Sequence, residues 1–242
     1  MLTSSLILIQ KLFMRFLTNL KKRSLLVLCL LVLTTTHAQK LDKVYADLIK
    51  KYTTDTRFLP KSLQTFPAST TLASPLKHFG KIIGAPGVMH HTKDIFNYYS
   101  ILASKSDRMQ MITLRKSEEG RPIHLLIISS AENLKNLEKY KKNLNKLADP
   151  RTLKNTDVTA LILKTKPMYY LNGGLHSTEM GSPEMLMELV FRMLVEESPQ
   201  MKNIRKNVIT LINPVSEPDG RDKQVDWYYR YTKKKKVYDD GL

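Results

Sequence analysis

Apolar residues recur along this chain at two spacings. Leu41, Val44, Leu48 and Ile49 fall three and four residues apart, which predicts a short amphipathic helix over 40–52. Ile95, Tyr98, Tyr99 and Leu102 repeat that spacing and predict a second helix over 92–104. Between them, 53–87 is rich in Pro, Thr, Ser and Gly, including Ala85-Pro86-Gly87, and reads as an irregular lead-in. The pattern then shortens. Residues 109–115 (MQMITLR) alternate apolar and polar, 117–121 (SEEGR) form a turn, and 122–129 (PIHLLIIS) are apolar almost throughout, as in a strand covered on both faces. A lysine-rich helix is predicted over 133–147, a strand over 167–172, a strong helix over 184–197 and a buried strand over 207–213. Residues 158–164 (VTALILK) fit either class. Hairpin, helix, strand, helix, strand is the order of an α/β layered sheet, and no internal repeat is visible.

The first 38 residues stand apart. Lys21-Lys22-Arg23 precede the apolar run 24–33 (SLLVLCLLVL), too short to span a bilayer comfortably, and TTTHA ends on a small residue before Gln39. This predicts an export signal over 1–38, with Met14 as a possible true start. Cys29 lies inside the apolar run, so the mature chain holds no cysteine and has neither disulfides nor thiol catalysis. The expected partition is 1–38 signal peptide, 39–90 lead-in and 91–242 a partial catalytic domain. No stable membrane anchor is expected after cleavage, and the destination is periplasmic or extracellular.

The formal charge of +17 falls to +12 without the first 38 residues, which hold five basic groups and no acidic ones. The remaining lysines are scattered over 135–146, 202–206 and 233–236 with no nucleic-acid motif, so they read as a solvated surface, with 233–236 in a loop. No nucleic-acid partner is expected.

Candidate chemistry concentrates in 167–183 (PMYYLNGGLHSTEMGSP). An apolar strand runs into Gly173-Gly174, then His176 and Glu179, then Ser182-Pro183, a good N-cap followed by a residue suited to the first helical position. Ligand crevices in open α/β sheets form at such strand ends. An imidazole and a carboxylate three residues apart can meet one Zn²⁺, at about 2.0–2.2 Å each. Alone, the pair is equally compatible with a capping Glu beside a surface His. His90-His91 reads as a loop or helix start, His124 as a core histidine, and Met180, Met185, Met187 and Met193 as core filler.

The order of residues from Pro167 to Pro183 resembles the first zinc signature of the M14 metallocarboxypeptidases, with Gly181 standing where an aliphatic residue is usual. Residues 213–220 (NPVSEPDG) resemble that family's Asn-Pro-Asp-Gly turn, here stretched so that Pro218-Asp219-Gly220 carries its ending. Residues 225–231 (VDWYYRY) resemble its Trp/Arg-rich stretch. The resemblance implies the N-terminal part of a doubly wound mixed β-sheet with helices on both faces. It also implies a zinc-dependent peptidase acting on peptide or protein substrates, with His176 and Glu179 as metal ligands. Arg230 would polarise the scissile carbonyl, and Arg221 is the runner-up.

A catalytic zinc takes three protein ligands and leaves a position for water. The resemblance implies a third, histidine ligand and a glutamate base downstream, yet the last of the six histidines is His176. The expectation is therefore an incomplete, inactive fragment of a metallocarboxypeptidase that binds zinc weakly. Two alternatives stay open: a zinc amidohydrolase or deacylase of N-acyl amino acids, and a non-catalytic exported binding module.

Overall fold

The computed structural model describes residues 39–153 and 157–239. The expected signal segment, with Cys29 and His37, lies outside them. In chain order the helices are α1 (Lys43–Tyr52), α2 (Pro75–Phe79), α3 (Thr92–Lys105), α4 (Ala131–Lys135), α5 (Leu137–Ala148), α6 (Val158–Leu163), α7 (Gly181–Val195), α8 (Pro199–Asn207) and α9 (Pro218–Asp239). The strands are β1 (Met109–Lys116), β2 (Pro122–Ile128), β3 (Met168–Asn172) and β4 (Ile209–Asn213).

The strands form one mixed sheet in the order β1-β2-β4-β3. β1 and β2 are an antiparallel hairpin, β2 pairs antiparallel with β4, and β3 pairs parallel with β4. Side chains of a strand alternate between faces, and here each face is filled separately. Leu126, Ile128 and Ile212 join the core built from α3 and α7 (Ile95, Tyr99, Leu102, Met187, Val190, Phe191). Ile127 and Ile209 turn the other way and meet Leu134 and Tyr140 of α4 and α5. Helices therefore cover both faces of a mixed sheet, as expected. Only the second half of β2 is fully buried, because β1 beside it is a mostly exposed edge.

Three local expectations change. The single helix over 133–147 is two, broken at Asn136; the buried Asn133 amide donates to Ser129 Oγ and to the carbonyls of Arg205 and Lys206, which fixes α4 to the end of α8. The ambiguous stretch 158–164 is α6, started by Asp157, whose side chain accepts the Ala160 N–H at 2.9 Å. The stretch 233–236, expected as a loop, continues the backbone of α9.

The lead-in is irregular but anchored. Leu41 bridges to Pro67, and Tyr45, Phe66, Leu72 and Ile82 enter the core shared with α3 and α7. Phe66 stacks on Phe191 at 5.3 Å, and Tyr45 Oη donates to Glu188 at 3.0 Å. Burying such side chains contributes roughly 1.5–3 kcal/mol each, enough to hold a segment with little regular structure of its own. No helix among the described residues is long and apolar enough to cross a membrane.

Candidate metal site

Parallel strands β3 and β4 end together, with Asn172 opposite Asn213. Beyond them the two chains stay in step. Gly173 N–H donates to Asn213 O at 2.8 Å, Ser216 N–H to Gly173 O at 2.9 Å, and Glu217 N–H to Gly174 O at 3.1 Å. This close stitching requires glycine. A Cβ on Gly173 would stand 2.5 Å from Leu186 Cδ1 and 2.8 Å from Pro214 O, and Gly174 has φ +59°. Ser182 does not cap α7 as expected. The helix begins at Gly181, and Ser182 Oγ instead accepts the Gly174 N–H at 3.0 Å, because the turn leaves that donor unpaired within reach.

His176 and Glu179 emerge from this turn. Glu179 N–H donates to His176 O at 3.0 Å, closing a tight bend that sets the two side chains together. His176 Nδ1 and Glu179 Oε1 are 2.9 Å apart, and both side chains are exposed, at 68% and 56%. The hydrogen bond from His176 holds the Glu179 carboxyl below its ordinary value. One tetrahedral metal bound by both atoms needs them about 3.4 Å apart, from metal–ligand distances of about 2.0–2.2 Å. A shift of about 0.5 Å thus turns the hydrogen-bonded pair into a chelating pair. As donors, His176 and Glu179 fit zinc. Among the described residues no group of three His, Cys, Asp or Glu could hold a metal, whereas a catalytic zinc takes three protein ligands.

The loop that carries them rests on a buried ionic group absent from the sequence-level expectations. Glu184, in the first turn of α7, accepts from His90 N–H at 2.9 Å and lies 2.7 Å from His90 Nδ1. Arg221 of α9 pairs with the same carboxylate, donates twice to His90 O (3.1 and 2.8 Å) and once to Met180 O at 3.0 Å. Burial works to raise the Glu184 carboxyl, but His90 and Arg221 outweigh it and hold it below its ordinary value. Burial pulls Arg221 down, with Glu184 opposing. Met180, which follows Glu179, is thereby tied to α9 and to the lead-in.

Arg221, the runner-up, is 1% exposed, with its donors engaged by Glu184, His90 O and Met180 O. Arg230 is exposed on α9, ten residues and about 15 Å along the axis from Gly220. Gly220 itself lies against the ligand loop, since a Cβ there would stand 2.6 Å from Ser177 Cβ. The structure thus brings His176 and Glu179 together and leaves Arg230 apart.

The remainder of the Pro-Asp-Gly-Arg-Asp run is also structural. Asp219 accepts from Ser117 Oγ and Arg121 Nη1, both at 2.7 Å, and pins the β1–β2 turn. Asp222 accepts from Thr92 N–H at 2.7 Å and so caps α3. The signal available in sequence was the charge of these residues at helix starts, where acids are favoured. His91, just before α3, pairs with Asp226 at 2.8 Å. His124 is half-buried, 3.3 Å from Thr113 Oγ1 and edge-on to Phe96. Met187 and Met193 are core residues, whereas Met185 is exposed and Met180 half-buried.

The sequence model of a family described as zinc carboxypeptidase, Peptidase M14, matches residues 97–238. Among solved structures, the carboxypeptidase A from Helicoverpa armigera is similar at 22% identity and TM-score 0.35, over 54% of this chain and 25% of that one. Thrombin-activatable fibrinolysis inhibitor is similar at 18% identity and TM-score 0.43, over 73% and 33%. The bovine form of that inhibitor, solved with tick carboxypeptidase inhibitor, gives 18% identity and TM-score 0.37, over 59% and 36%. The chain thus spans about a quarter to a third of the length of these solved relatives. No curated protein matches the sequence.

Proposed function

The chain belongs to the zinc carboxypeptidase family, and from that premise we propose that it carries the first part of a metallopeptidase site acting on peptides. In this reading His176 and Glu179 are two zinc ligands. The observation that carries it is their arrangement: Nδ1 and Oε1 2.9 Å apart, exposed, on a tight turn at the carboxyl end of a parallel strand.

Zinc, when bound, supplies a polarised water and stabilises charge developing on a carbonyl oxygen. The chain's own residues hold and orient the donors. The Gly173-Gly174 stitching and the Arg221–Met180 hydrogen bond fix the ligand loop at both ends. Arg230 is proposed to meet substrate, which requires α9 to bend near its exposed half. Residues 1–38 are proposed as an export signal, cleaved before Gln39, with 39–90 a lead-in and 91–242 the peptidase portion.

Two donors hold zinc less firmly than three, and among the described residues no third His, Cys, Asp or Glu joins them as a metal-holding group. The 242-residue chain is therefore expected to bind zinc weakly and to leave peptides intact. Zinc titration by calorimetry on the chain and on His176→Ala tests both halves. Weak binding lost in the variant, with no hydrolysis of a C-terminally unblocked peptide, is the expected result. Zinc uptake unaffected by His176→Ala sinks the ligand assignment and favours a non-catalytic module. Tight stoichiometric zinc with peptide hydrolysis overturns the inactive fragment.

A further inference from the structure

The end of α7 remote from the metal-ligand loop borders two cavities. The larger, of about 1000 Å³, lies between the lead-in, the α3–β1 turn and the end of α7. The smaller, of about 430 Å³, lies between that turn, α4 and α8. Asp107, Arg108 and Glu197 line both, so the two form one continuous trough. From Gly181, beside the ligand turn, to Val195 on the trough is about 21 Å along the helix axis.

The trough is cationic. Lys40, Lys43, Lys77 and Lys105 line the larger cavity, Lys202, Arg205 and Lys206 the smaller, and Arg108 stands between. Against these eight are Asp42, Asp107, Glu132 and Glu197, of which two are committed. Asp42 accepts the Tyr45 N–H at 3.0 Å as the cap of α1. Glu197 pairs with Arg108 at 2.7 Å, Arg205 at 3.1 Å and Lys202 at 3.4 Å. Among the described residues, Lys40, Lys43, Lys77, Lys105 and Lys206 form no ion pair. Neighbouring like charges repel, and an anion lying among them relieves that repulsion. A cleft lined by one sign of charge also concentrates its field. Arg108 Nη1 donates to Leu194 O at 2.8 Å and to Glu197, while its Nε and Nη2 have no acceptor among the described residues. A guanidinium with free donors on one edge suits a planar or tetrahedral oxyanion.

The walls are fixed before any ligand arrives. Gln39 Nε2 donates to Val195 O and Gln39 Oε1 accepts the Glu197 N–H, both at 2.8 Å, which ties the lead-in to the end of α7. The buried Arg205 donates to Met193 O at 2.9 Å and Glu196 O at 2.7 Å. Binding to fixed walls avoids the cost of ordering them.

The lining selects among polyanions. No aromatic side chain among the described residues lines the trough, so bases have no surface to stack on. Asp42 N–H donates to Phe66 O at 2.8 Å and Ala68 N–H to Lys40 O at 2.9 Å, so these two wall segments bond each other and offer a peptide no strand edge. Thr70, Thr71 and Ser106 place hydroxyls between the lysines, and each can both donate to and accept from a sugar hydroxyl.

We propose that this trough binds an anionic polysaccharide, a chain of sugars bearing carboxylates or sulfates, and attaches the protein to it at a distance from the metal ligands. The proposal goes beyond the peptidase reading and does not depend on it.

The test is fluorescence anisotropy of the full chain with two labelled hexasaccharides, hexagalacturonate for carboxylates and a heparin fragment for sulfates. Maltohexaose is the neutral control, and hexathymidylate and hexaglutamate are the competing anions. At least one acidic hexasaccharide should bind saturably, about tenfold or more tighter than any of the three controls. Lys40→Glu/Lys105→Glu should weaken that binding about tenfold or more, whereas Lys139→Glu/Lys142→Glu, the same change of charge on exposed α5, should alter it less than about twofold. Lys43→Glu/Lys77→Glu is a second trough variant, and thermal unfolding checks that each is folded. Raising NaCl from 0.05 to 0.5 M, which shortens the Debye length about threefold, should weaken binding as well. No binding of either acidic hexasaccharide, binding of the nucleotide or peptide as tight, or equal losses in the trough and α5 variants overturns the assignment. The zinc titration with His176→Ala judges the peptidase reading separately.

Discussion

Arg221 and Glu184 show why a charge can be retained in a core. Each is nearly inaccessible, and each is stable there because the other, with His90, replaces the water it loses. Breaking such a pair from one side leaves an uncompensated charge, so Arg221→Met should destabilise the chain by about 3–5 kcal/mol. Replacing both groups in Glu184→Gln/Arg221→Met should recover a large part of that loss, and urea denaturation of the two variants measures it. Protonation acts on the same residues. Glu184 is held below its ordinary carboxyl value of 4.5, so its stabilisation is present above that pH and is lost as pH falls through the lower folded value. His78 and His124 are pushed below 6.5 by burial. The unfolded chain therefore takes up protons there first, and stability falls as pH drops through about 6.5. Thermal denaturation across pH 4–7 should show both phases, and His124→Gln should reduce the upper one.

Among the elements, the strand-to-helix turn is the least tolerant. Gly173 packs against both a side chain and a backbone carbonyl, so a methyl group there forces a movement of β4's exit rather than a rotamer change. Gly173→Ala should cost about 1–3 kcal/mol in thermal or urea unfolding. It should also move His176 relative to Glu179, seen as altered histidine ring shifts by NMR. Periodicity located most of these elements and misjudged those whose ends depend on distant partners. α4 is held by Asn133 bonding carbonyls more than seventy residues away, and the helix breaks just after it, at Asn136. Ser182 reads as an N-cap because its type favours caps, yet the Gly174 N–H reaches it first. α6 is an exposed, short helix whose composition suits a strand, and Asp157 decided it.

Among the described residues, the sheet is well covered on both faces at β4 and the second half of β2, while its outer strands β1 and β3 stay exposed. β3 is the outer strand beside β4, and Tyr169 and Tyr170 on it are 61% and 54% exposed. Ile162 and Leu163 of α6 are exposed as well. An uncovered edge with apolar flanks pairs readily with other chains, while the net charge of +17 opposes close approach. Self-association should therefore rise with salt as that repulsion is screened. Light scattering should show this between 0.05 and 0.5 M NaCl, over which the Debye length falls about threefold. Tyr169→Lys/Tyr170→Lys should suppress it.

The sequence by itself determined the layered α/β class and the strand–Gly-Gly–His–Glu order, because both are written in local periodicity and in residues adjacent along the chain. His176 and Glu179 were legible for that reason: three residues and one bend bring them together. Only the tertiary structure decided what supports them. His90, Glu184 and Arg221 come from three segments up to 131 residues apart, and burial, which no single-residue pattern encodes, made Arg221 an anchor for Met180. The trough at the far end of α7 has the same origin. It exists because the lead-in, the α3–β1 turn and the end of α7 are hydrogen-bonded into one wall, a relation among distant segments that spacing along the chain does not express.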